Sequence, residues 1–157
     1  MKNEKIILDA CCGGKMFYFD KNNKNVLFID IRKENHILCD GRKFEVKPDI
    51  IMDFRDLKFP NKTFKMVVFD PPHLLKIGKN SWMAKKYGYL GKNWRDDLKK
   101  GFDECWRVLK KDGFLIFKWS ERDVKVKEIL DLFKKEPLFG HTTGNSGNTI
   151  WICYLKN

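Results

Sequence analysis

The chain has 157 residues, 43% hydrophobic and 14% aromatic, which predicts one folded domain over residues 1–157 and excludes a disordered segment. Its 32 basic and 21 acidic residues give a net charge of +11, which favours polyanionic partners such as nucleic acid. No apolar run approaches the roughly 20 residues of a membrane span, and no secretory signal is visible, so we predict a cytoplasmic protein without a membrane partner. The five cysteines lack metal-site spacing, so no metal site is predicted.

Five short apolar runs recur along the chain, and each has the length of a strand. They lie at residues 6–8, 26–29, 50–52, 66–69 and 114–117. The runs are continuous rather than alternating, which is typical of strands buried on both faces of a parallel sheet. An aspartate stands at or just after the carboxyl end of four of them, where ligands bind in such sheets: Asp9, Asp30, Asp53 and Asp70.

Helical patterns follow the fourth and fifth runs. Residues 94–110 place apolar side chains at helical spacing, with Gly113 just beyond as a stop signal, and residues 124–135 form a second amphipathic segment closed by Pro137. Residues 138–154 predict a terminal hairpin with an edge strand. Together these elements predict an α/β fold. It is a three-layer, Rossmann-like sandwich with a mostly parallel sheet, an antiparallel C-terminal hairpin strand and right-handed crossovers on both faces.

A carboxylate and a glycine pair follow the first strand, in residues 9–14. The missing side chains allow a ligand to approach the backbone of this turn, while Asp9 accepts hydrogen bonds. Asp30 follows at the spacing where nucleotide-binding folds place an acid against ribose hydroxyls, and Asp53 follows the third strand, with Phe54 able to cover an adenine ring. Each feature alone is common in α/β proteins, but their order favours a nucleotide-like cofactor. The absence of G-x-G-x-x-G and of a P-loop motif counts against an NAD site and excludes a P-loop.

The turn Asp70-Pro71-Pro72-His73 follows the fourth strand. Its two prolines fix two φ angles and remove two N–H donors, so the carbonyl groups point outward as acceptors. Asp70 adds a carboxylate acceptor, and His73 offers a flat ring on which a base can stack. An Asp-Pro-Pro turn is often only structural. Its place after the cofactor-like residues favours a catalytic turn that holds an amino group against an electrophile.

Lysines, aromatic residues and glycines alternate in residues 73–94, directly after this turn. The mixture is typical of a mobile lid that neutralises phosphates and stacks bases; the alternative is a solvated loop with anchoring aromatic residues. Lys118 and Trp119, at the end of the fifth run, are placed to border the same site. The predicted substrate contacts are Lys76, Lys79, Trp82, Lys85, Lys86, Tyr87 and Trp119.

These motifs resemble those of class I S-adenosylmethionine-dependent methyltransferases, and among them the adenine or cytosine amino-methyltransferases with an (Asp/Asn/Ser)-Pro-Pro-aromatic turn. Residues 9–14 are similar to the family's cofactor turn, Asp30 to its ribose acid, Asp53 to its adenine contact and residues 70–73 to its catalytic turn. Lys15 stands where a glycine is usual, and a histidine ends the turn where Tyr, Phe or Trp is commoner. The resemblance implies cofactor contacts at Asp9, Ala10, Cys11, Cys12, Gly13, Asp30, Ile31, Asp53, Phe54 and Asp70, and catalytic roles for Asp70, Pro71, Pro72 and His73.

The activity that this resemblance implies is methyl transfer from S-adenosylmethionine to an exocyclic amino nitrogen of adenine or cytosine in DNA or RNA. Alignment contributes more to this reaction than proton abstraction does. Two alternatives stay open: methylation of a protein side-chain amide, and an inactive subunit that binds cofactor or nucleic acid. The chain leaves no residues for a separate recognition domain, so a homodimer or a partner subunit is a further expectation.

Overall fold

One large sheet, a separate hairpin and three helices make up the secondary structure of the residues that the computed structural model describes, 5–78, 80–143 and 147–157. In chain order the elements are β1 (Ile7–Asp9), β2 (Val26–Asp30), β3 (Glu34–Ile37), β4 (Lys43–Val46), β5 (Ile50–Ile51), β6 (Phe64–Phe69), α1 (Trp82–Tyr87), α2 (Trp94–Val108), β7 (Leu109–Ser120), α3 (Val126–Phe133), β8 (Phe139–Thr143) and β9 (Thr149–Lys156).

The large sheet has seven strands in the order β5-β2-β1-β6-β7-β9-β8. Neighbouring strands pair in parallel except at β9, which runs antiparallel to both β7 and β8. The strand order reverses between β1 and β6, so the carboxyl ends of these strands form a switch point, where ligands bind in sheets of this kind. The predicted α/β, Rossmann-like class is confirmed. In the terminal hairpin, β8 is the edge strand, and β9 lies inside the sheet.

The main core lies between one face of the sheet and helices α2 and α3. Phe102 of α2 stacks on Phe133 of α3 with ring centroids 4.1 Å apart, and Phe133 meets Phe117 of β7 edge-on. All three side chains are at most 1% exposed, and burying each stabilises the fold by roughly 1.5–3 kcal/mol. This packing fixes both helices against the central strands. None of the described helices is long and apolar enough to cross a membrane.

The opposite face of the sheet is covered by a crossover without a helix. Residues 10–25, which join β1 to β2, form a series of turns. The side chains of Asp20 and Asn23 each accept a hydrogen bond from the backbone two residues later, and such local bonds compete with helix formation. Tyr18 packs edge-on against Phe28 of β2, with ring centroids 4.8 Å apart. The predicted crossover therefore covers the β2 part of this face as turns, while Phe114 of β7 on the same face is exposed.

The boundary between α2 and β7 differs from the sequence-based expectation. The helix ends at Val108 and the strand begins at Leu109 without a loop, so Gly113 lies inside a strand and does not stop a helix. A Cβ at Gly113 would lie 2.8 Å from the carbonyl oxygen of Lys65, so this glycine allows β6 and β7 to approach closely. The prediction of a strand buried on both faces is also wrong for β5, whose two isoleucines are exposed at the sheet edge.

Two short elements, the β3–β4 hairpin and helix α1, were not predicted from the sequence. β3 alternates half-buried with exposed residues and has no apolar stripe, while α1 has six residues and one buried side chain, Ala84. Elements this short contain too few apolar positions for their period to be visible.

Gly101 in α2 is predicted to resist substitution. Replacing glycine by alanine inside a helix usually stabilises a protein by about 0.5–1 kcal/mol. Here the new Cβ would lie 2.4 Å from Cδ2 of Phe54 and 2.9 Å from Cζ of Phe69. We therefore expect Gly101→Ala to lower the free energy of unfolding by about 1–3 kcal/mol in urea denaturation. The exposed control Lys100→Ala should change it by less than about 0.5 kcal/mol, and a Gly101→Ala protein as stable as the wild type would contradict the prediction.

Candidate cofactor and catalytic site

Two turns at the carboxyl edge of the sheet line a single pocket: the glycine turn after β1 (residues 10–14) and the proline turn after β6 (residues 70–73). Because β1 and β6 are neighbours at the switch point, the turns that follow them lie side by side. The two halves of the predicted site therefore face the same space. The pocket is lined by Cys11, Cys12, Gly13, Gly14, Met16, Phe17, Asp30, Ile31, Arg32, Phe54, Asp70, Pro71, Pro72, His73, Lys86, Tyr87 and Lys118.

Asp30 holds the glycine turn in place from the end of β2. It is 5% exposed, and its Oδ2 accepts a hydrogen bond from the backbone N–H of Gly13 at 2.9 Å. Its Oδ1 accepts from the backbone N–H of Arg32, also at 2.9 Å. Gly13 has a φ of 48°, a left-handed conformation that glycine adopts without strain, whereas Lys15 adopts a φ of 51° despite its side chain. The Asp30 carboxylate thus both shapes the turn and lines the pocket.

Asp9 lies between these two turns, at the end of β1, with no exposed surface. Its Oδ1 accepts a hydrogen bond from the backbone N–H of Cys11 at 3.2 Å. Burial, together with the nearby carboxylates of Asp70 and Asp30, raises the pKa of Asp9 to about 7, while Cys11 and the Tyr18 hydroxyl act in the opposite direction. Asp9 does not itself line the pocket, so a ligand there meets it only through its charge and through the backbone of the turn that it supports.

Ile31 and Phe54 lie where the pocket meets an adjoining cleft, and both side chains line both spaces. Asp53 lines only the adjoining cleft and is held by Arg55, whose Nε lies 3.0 Å from each carboxylate oxygen. Arg55 also donates from Nη1 to Asp97 at 2.9 Å. Any ligand amino group that binds to Asp53 therefore shares its oxygens with Arg55.

Asp70 pairs with Lys118 inside the pocket. Lys118, near the carboxyl end of β7, donates from Nζ to Oδ2 of Asp70 at 2.7 Å. The side chains of Lys118 and Asp70 remain 23% and 20% exposed. Burial raises the pKa of Asp70, and the Lys118 ammonium opposes this rise. The proline turn thus presents a partly desolvated carboxylate beside a cation.

His73 is a neutral aromatic ring in this site. Burial, together with the charge of Lys118, lowers its pKa to about 4, so the imidazole is uncharged at neutral pH. Its ring centroid lies 5.8 Å from that of Tyr87 and 6.4 Å from that of Trp119. The geometry suits a stacking surface better than a general acid.

Helix α1 lies in the segment that was predicted to be a lid or a loop. The side chain of Ser81 caps α1 by accepting a hydrogen bond from the backbone N–H of Ala84 at 3.1 Å. Arg32 donates from Nη1 to the carbonyl oxygen of Lys85 at 2.9 Å and from Nε to Asp30 at 3.4 Å. These bonds connect α1 to the residue that holds the glycine turn.

The predicted substrate contacts fall into two groups. Lys86 and Tyr87 line the pocket, whereas Trp119 does not, because it is 1% exposed and its indole Nε1 donates to the carbonyl oxygen of Val124. Lys118 lines the pocket in its place, since successive residues of a strand point to opposite faces. Of the others, Lys76 and Trp82 are exposed, Lys85 is half-buried, and Lys79 lies outside the described residues.

Met16, Phe17 and Arg32 also line the pocket, and sequence reasoning did not find them. Phe17 packs edge-on against Trp151, with ring centroids 5.2 Å apart. These three residues belong to connections rather than to strand ends, so the pattern of an aspartate after an apolar run gives no signal for them. The only available signal for Arg32 was its position two residues after Asp30.

Comparison with known proteins identifies the fold. No family model and no curated protein matches the chain. Among solved structures, an S-adenosylmethionine-dependent methyltransferase from Methanosarcina mazei is 14% identical, with a TM-score of 0.58 over 96% of this chain and 92% of that one. A TehB-like S-adenosylmethionine-dependent methyltransferase from Corynebacterium glutamicum is 16% identical, with a TM-score of 0.56 over 96% and 79% of the two chains.

A third similar structure is the Haloferax volcanii complex of the Trm112 methyltransferase activator with the protein described as its methyltransferase. It is 9% identical, with a TM-score of 0.52 over 99% of this chain and 84% of that one. At these identities the likeness shows the fold alone. The chain therefore has the fold of S-adenosylmethionine-dependent methyltransferases.

The raised pKa of Asp9 predicts a pH-dependent stability. The folded-state value of about 7 lies above the usual value of 3.8, so the folded protein binds this proton more tightly than the unfolded chain. Protonated Asp9 thus contributes to the stability of the folded protein, and this contribution is complete at low pH. It is lost as the pH rises towards 7, and the free energy of unfolding falls by at most about 1.4 kcal/mol per pH unit. Asp9→Asn lacks this titration. In urea denaturation from about pH 5 to about pH 8, the stability of the variant should therefore rise relative to the wild type up to about pH 7. Parallel profiles for the two proteins would exclude a raised pKa at Asp9.

Proposed function

We propose that the protein is an S-adenosylmethionine-dependent methyltransferase that acts on an exocyclic amino nitrogen of adenine or cytosine in nucleic acid. The observation that carries this proposal is the single pocket shared by the glycine turn and the proline turn. A methyl donor on one turn and an amino acceptor on the other would meet there. The fold of known methyltransferases supports the same reading.

The residues of the glycine turn suit the cofactor. S-adenosylmethionine is a cation with an amino group, and the buried carboxylate of Asp9, which supports the turn from behind, would attract its positive charge. Asp30, which lines the pocket, would hold the ribose, with Ile31 and Phe54 beside the adenine. When bound, the cofactor supplies an electrophilic methyl group on its sulfonium.

The proline turn suits an amino group as acceptor of that methyl. Asp70 and the carbonyl of Pro71 would accept the two N–H hydrogens, which directs the nitrogen lone pair away from both. The nitrogen would form its bond to the methyl carbon as the bond from that carbon to sulfur breaks, with S-adenosylhomocysteine as the leaving group, and the surplus N–H proton would then pass to Asp70 or water. This arrangement accelerates the reaction through alignment, with no need for a strong general base. His73 and Tyr87 would flank the base, because both rings line the pocket and His73 is neutral.

A basic cleft beside the pocket supports nucleic acid as the substrate. The cleft shares Gly13, Gly14 and Met16 with the pocket. Its lining includes the lysines Lys15, Lys21, Lys43 and Lys47 and the acidic residues Glu45 and Asp49. The lysines outnumber the acidic residues, so the cleft would attract the phosphates of a nucleic acid, and the net charge of +11 acts in the same direction. This charge gives less support to a protein side chain as the acceptor.

Methyl transfer from labelled S-adenosylmethionine to DNA, RNA and protein pools tests the proposal. Label in the DNA or RNA pool, followed by nucleoside mass spectrometry, identifies the base. Label in the protein pool supports the amide alternative instead. Cofactor binding by calorimetry without transfer to any pool identifies an inactive binding subunit.

Two aspartate variants should separate catalysis from binding. Asp70→Ala removes the carboxylate acceptor, so we expect transfer to be lost while calorimetric affinity for S-adenosylmethionine stays within about threefold of the wild type, a change below 1 kcal/mol. Asp30→Ala removes a support of the glycine turn and should weaken cofactor binding. The exposed variant Asp131→Ala is the control for both. Full activity in Asp70→Ala would exclude the proposed chemistry.

The oligomeric state stays a prediction. The Haloferax neighbour was solved with an activator, and we propose that this chain too acts as a homodimer or with a partner subunit. Sedimentation velocity of the purified protein, alone and with nucleic acid, measures this directly.

A further inference from the structure

Lys118 is the one cation on β7 that lines the pocket, among the described residues, and its position is fixed from three sides. Its Nζ lies 2.7 Å from Oδ2 of Asp70. The same Nζ lies 5.7 Å from the ring centroid of Phe17 and 5.7 Å from that of Trp151. The carboxylate and the two aromatic rings all favour the same position of the ammonium, inside the pocket.

The ion pair leaves a donor and an acceptor free side by side. An ammonium has three N–H donors, and Lys118 uses one of them within the described residues. Only Oδ2 of Asp70 accepts a hydrogen bond from the described residues, so Oδ1 is open. Both side chains are about one-fifth exposed and line the pocket. The free donor and the free acceptor of this ion pair are therefore open to a ligand in the pocket.

Adenine and cytosine present the complementary pattern. In each, the exocyclic amino group, a donor, is bonded to a carbon that also carries an unprotonated ring nitrogen, an acceptor: N1 in adenine and N3 in cytosine. We propose that Asp70 and Lys118 together recognise this edge, with Oδ1 of Asp70 accepting from the amino group and Nζ of Lys118 donating to the adjacent ring nitrogen. This inference rests on the proposed function and assigns Lys118 as the residue that selects and orients the base.

A purely neutralising role for Lys118 has different consequences. If the ammonium only balances the charge of Asp70, replacing Lys118 leaves the preference between a base and its deaza analogue unchanged, because that preference then reflects only the different reactivity of the two amino groups. If Lys118 donates to the ring nitrogen, a base that lacks it leaves a charged donor unpaired. Losing a hydrogen bond to a charged group corresponds to roughly a 10- to 100-fold loss in kcat/KM.

Substrate analogues that lack the ring nitrogen test the inference. Single-stranded oligonucleotides carrying one adenine or one 1-deazaadenine, and one cytosine or one 3-deazacytosine, keep the amino group and replace the nitrogen by CH. For the base that the enzyme methylates, we expect the wild type to use the deaza analogue about 10- to 100-fold less efficiently. Lys118→Met should lose this preference, at a kcat/KM no higher than that of the wild type on the analogue, because loss of the ammonium also raises the pKa of Asp70.

Two further variants control for a structural effect. Lys118→Arg keeps a charged donor, so it should retain a preference for the normal base. Lys86→Met removes the other pocket lysine on the α1 side, so it should change both substrates by the same factor and leave the preference intact. If Lys118→Met does not fold, Lys118→Gln tests the same point, because an uncharged donor should show a smaller preference for the normal base than the wild type does.

The outcomes separate the inference from the proposed function. Equal use of both members of a pair by the wild type, or a preference that survives in Lys118→Met, overturns the role of Lys118 alone. Absence of product on every oligonucleotide while the protein pool is labelled overturns the proposed substrate, and the role of Lys118 falls with it.

Discussion

Three carboxylates with little access to water stand at the ends of the neighbouring strands β1, β2 and β6: Asp9, Asp30 and Asp70. The site depends on the hydrogen bonds and charges that offset the cost of burying each carboxylate. Asp30 is satisfied by backbone N–H groups, one of them from the glycine turn. Asp70 is balanced by Lys118. Asp9 accepts a hydrogen bond from the backbone N–H of Cys11 and interacts with the Tyr18 hydroxyl, yet burial still raises its pKa. This incomplete compensation makes the edge of the sheet receptive to a positively charged ligand.

The fold supports this edge from one side through α2. Gly101 of that helix has no side chain, and the rings of Phe54 and Phe69 occupy the space beside it. Phe54 also lines the pocket, and Phe69 directly precedes the proline turn. The packing of α2 therefore positions residues on both sides of the pocket. A change in this part of the core is expected to change the site as well.

The strands and the aspartates of the site could be predicted from sequence because they rest on local patterns: a continuous apolar run followed by a carboxylate. Residues that reach the pocket from connections could not, because the contact of Phe17 with Trp151 joins distant parts of the chain. At the end of β7 the sequence pattern indicated that a residue borders the pocket. Only the structure shows which of the two successive residues faces it. It is Lys118, while Trp119 belongs to the core.

The crossover of residues 10–25 has two structural roles. It covers β2 on one face of the sheet, through Tyr18 on Phe28, and it carries the glycine turn. Because turns lack the repeating hydrogen bonds of a helix, this segment belongs to the parts of a fold that open at low cost. A ligand on the glycine turn would hold the whole segment closed, so occupancy of the pocket and slow amide exchange over this face of the sheet are thermodynamically linked.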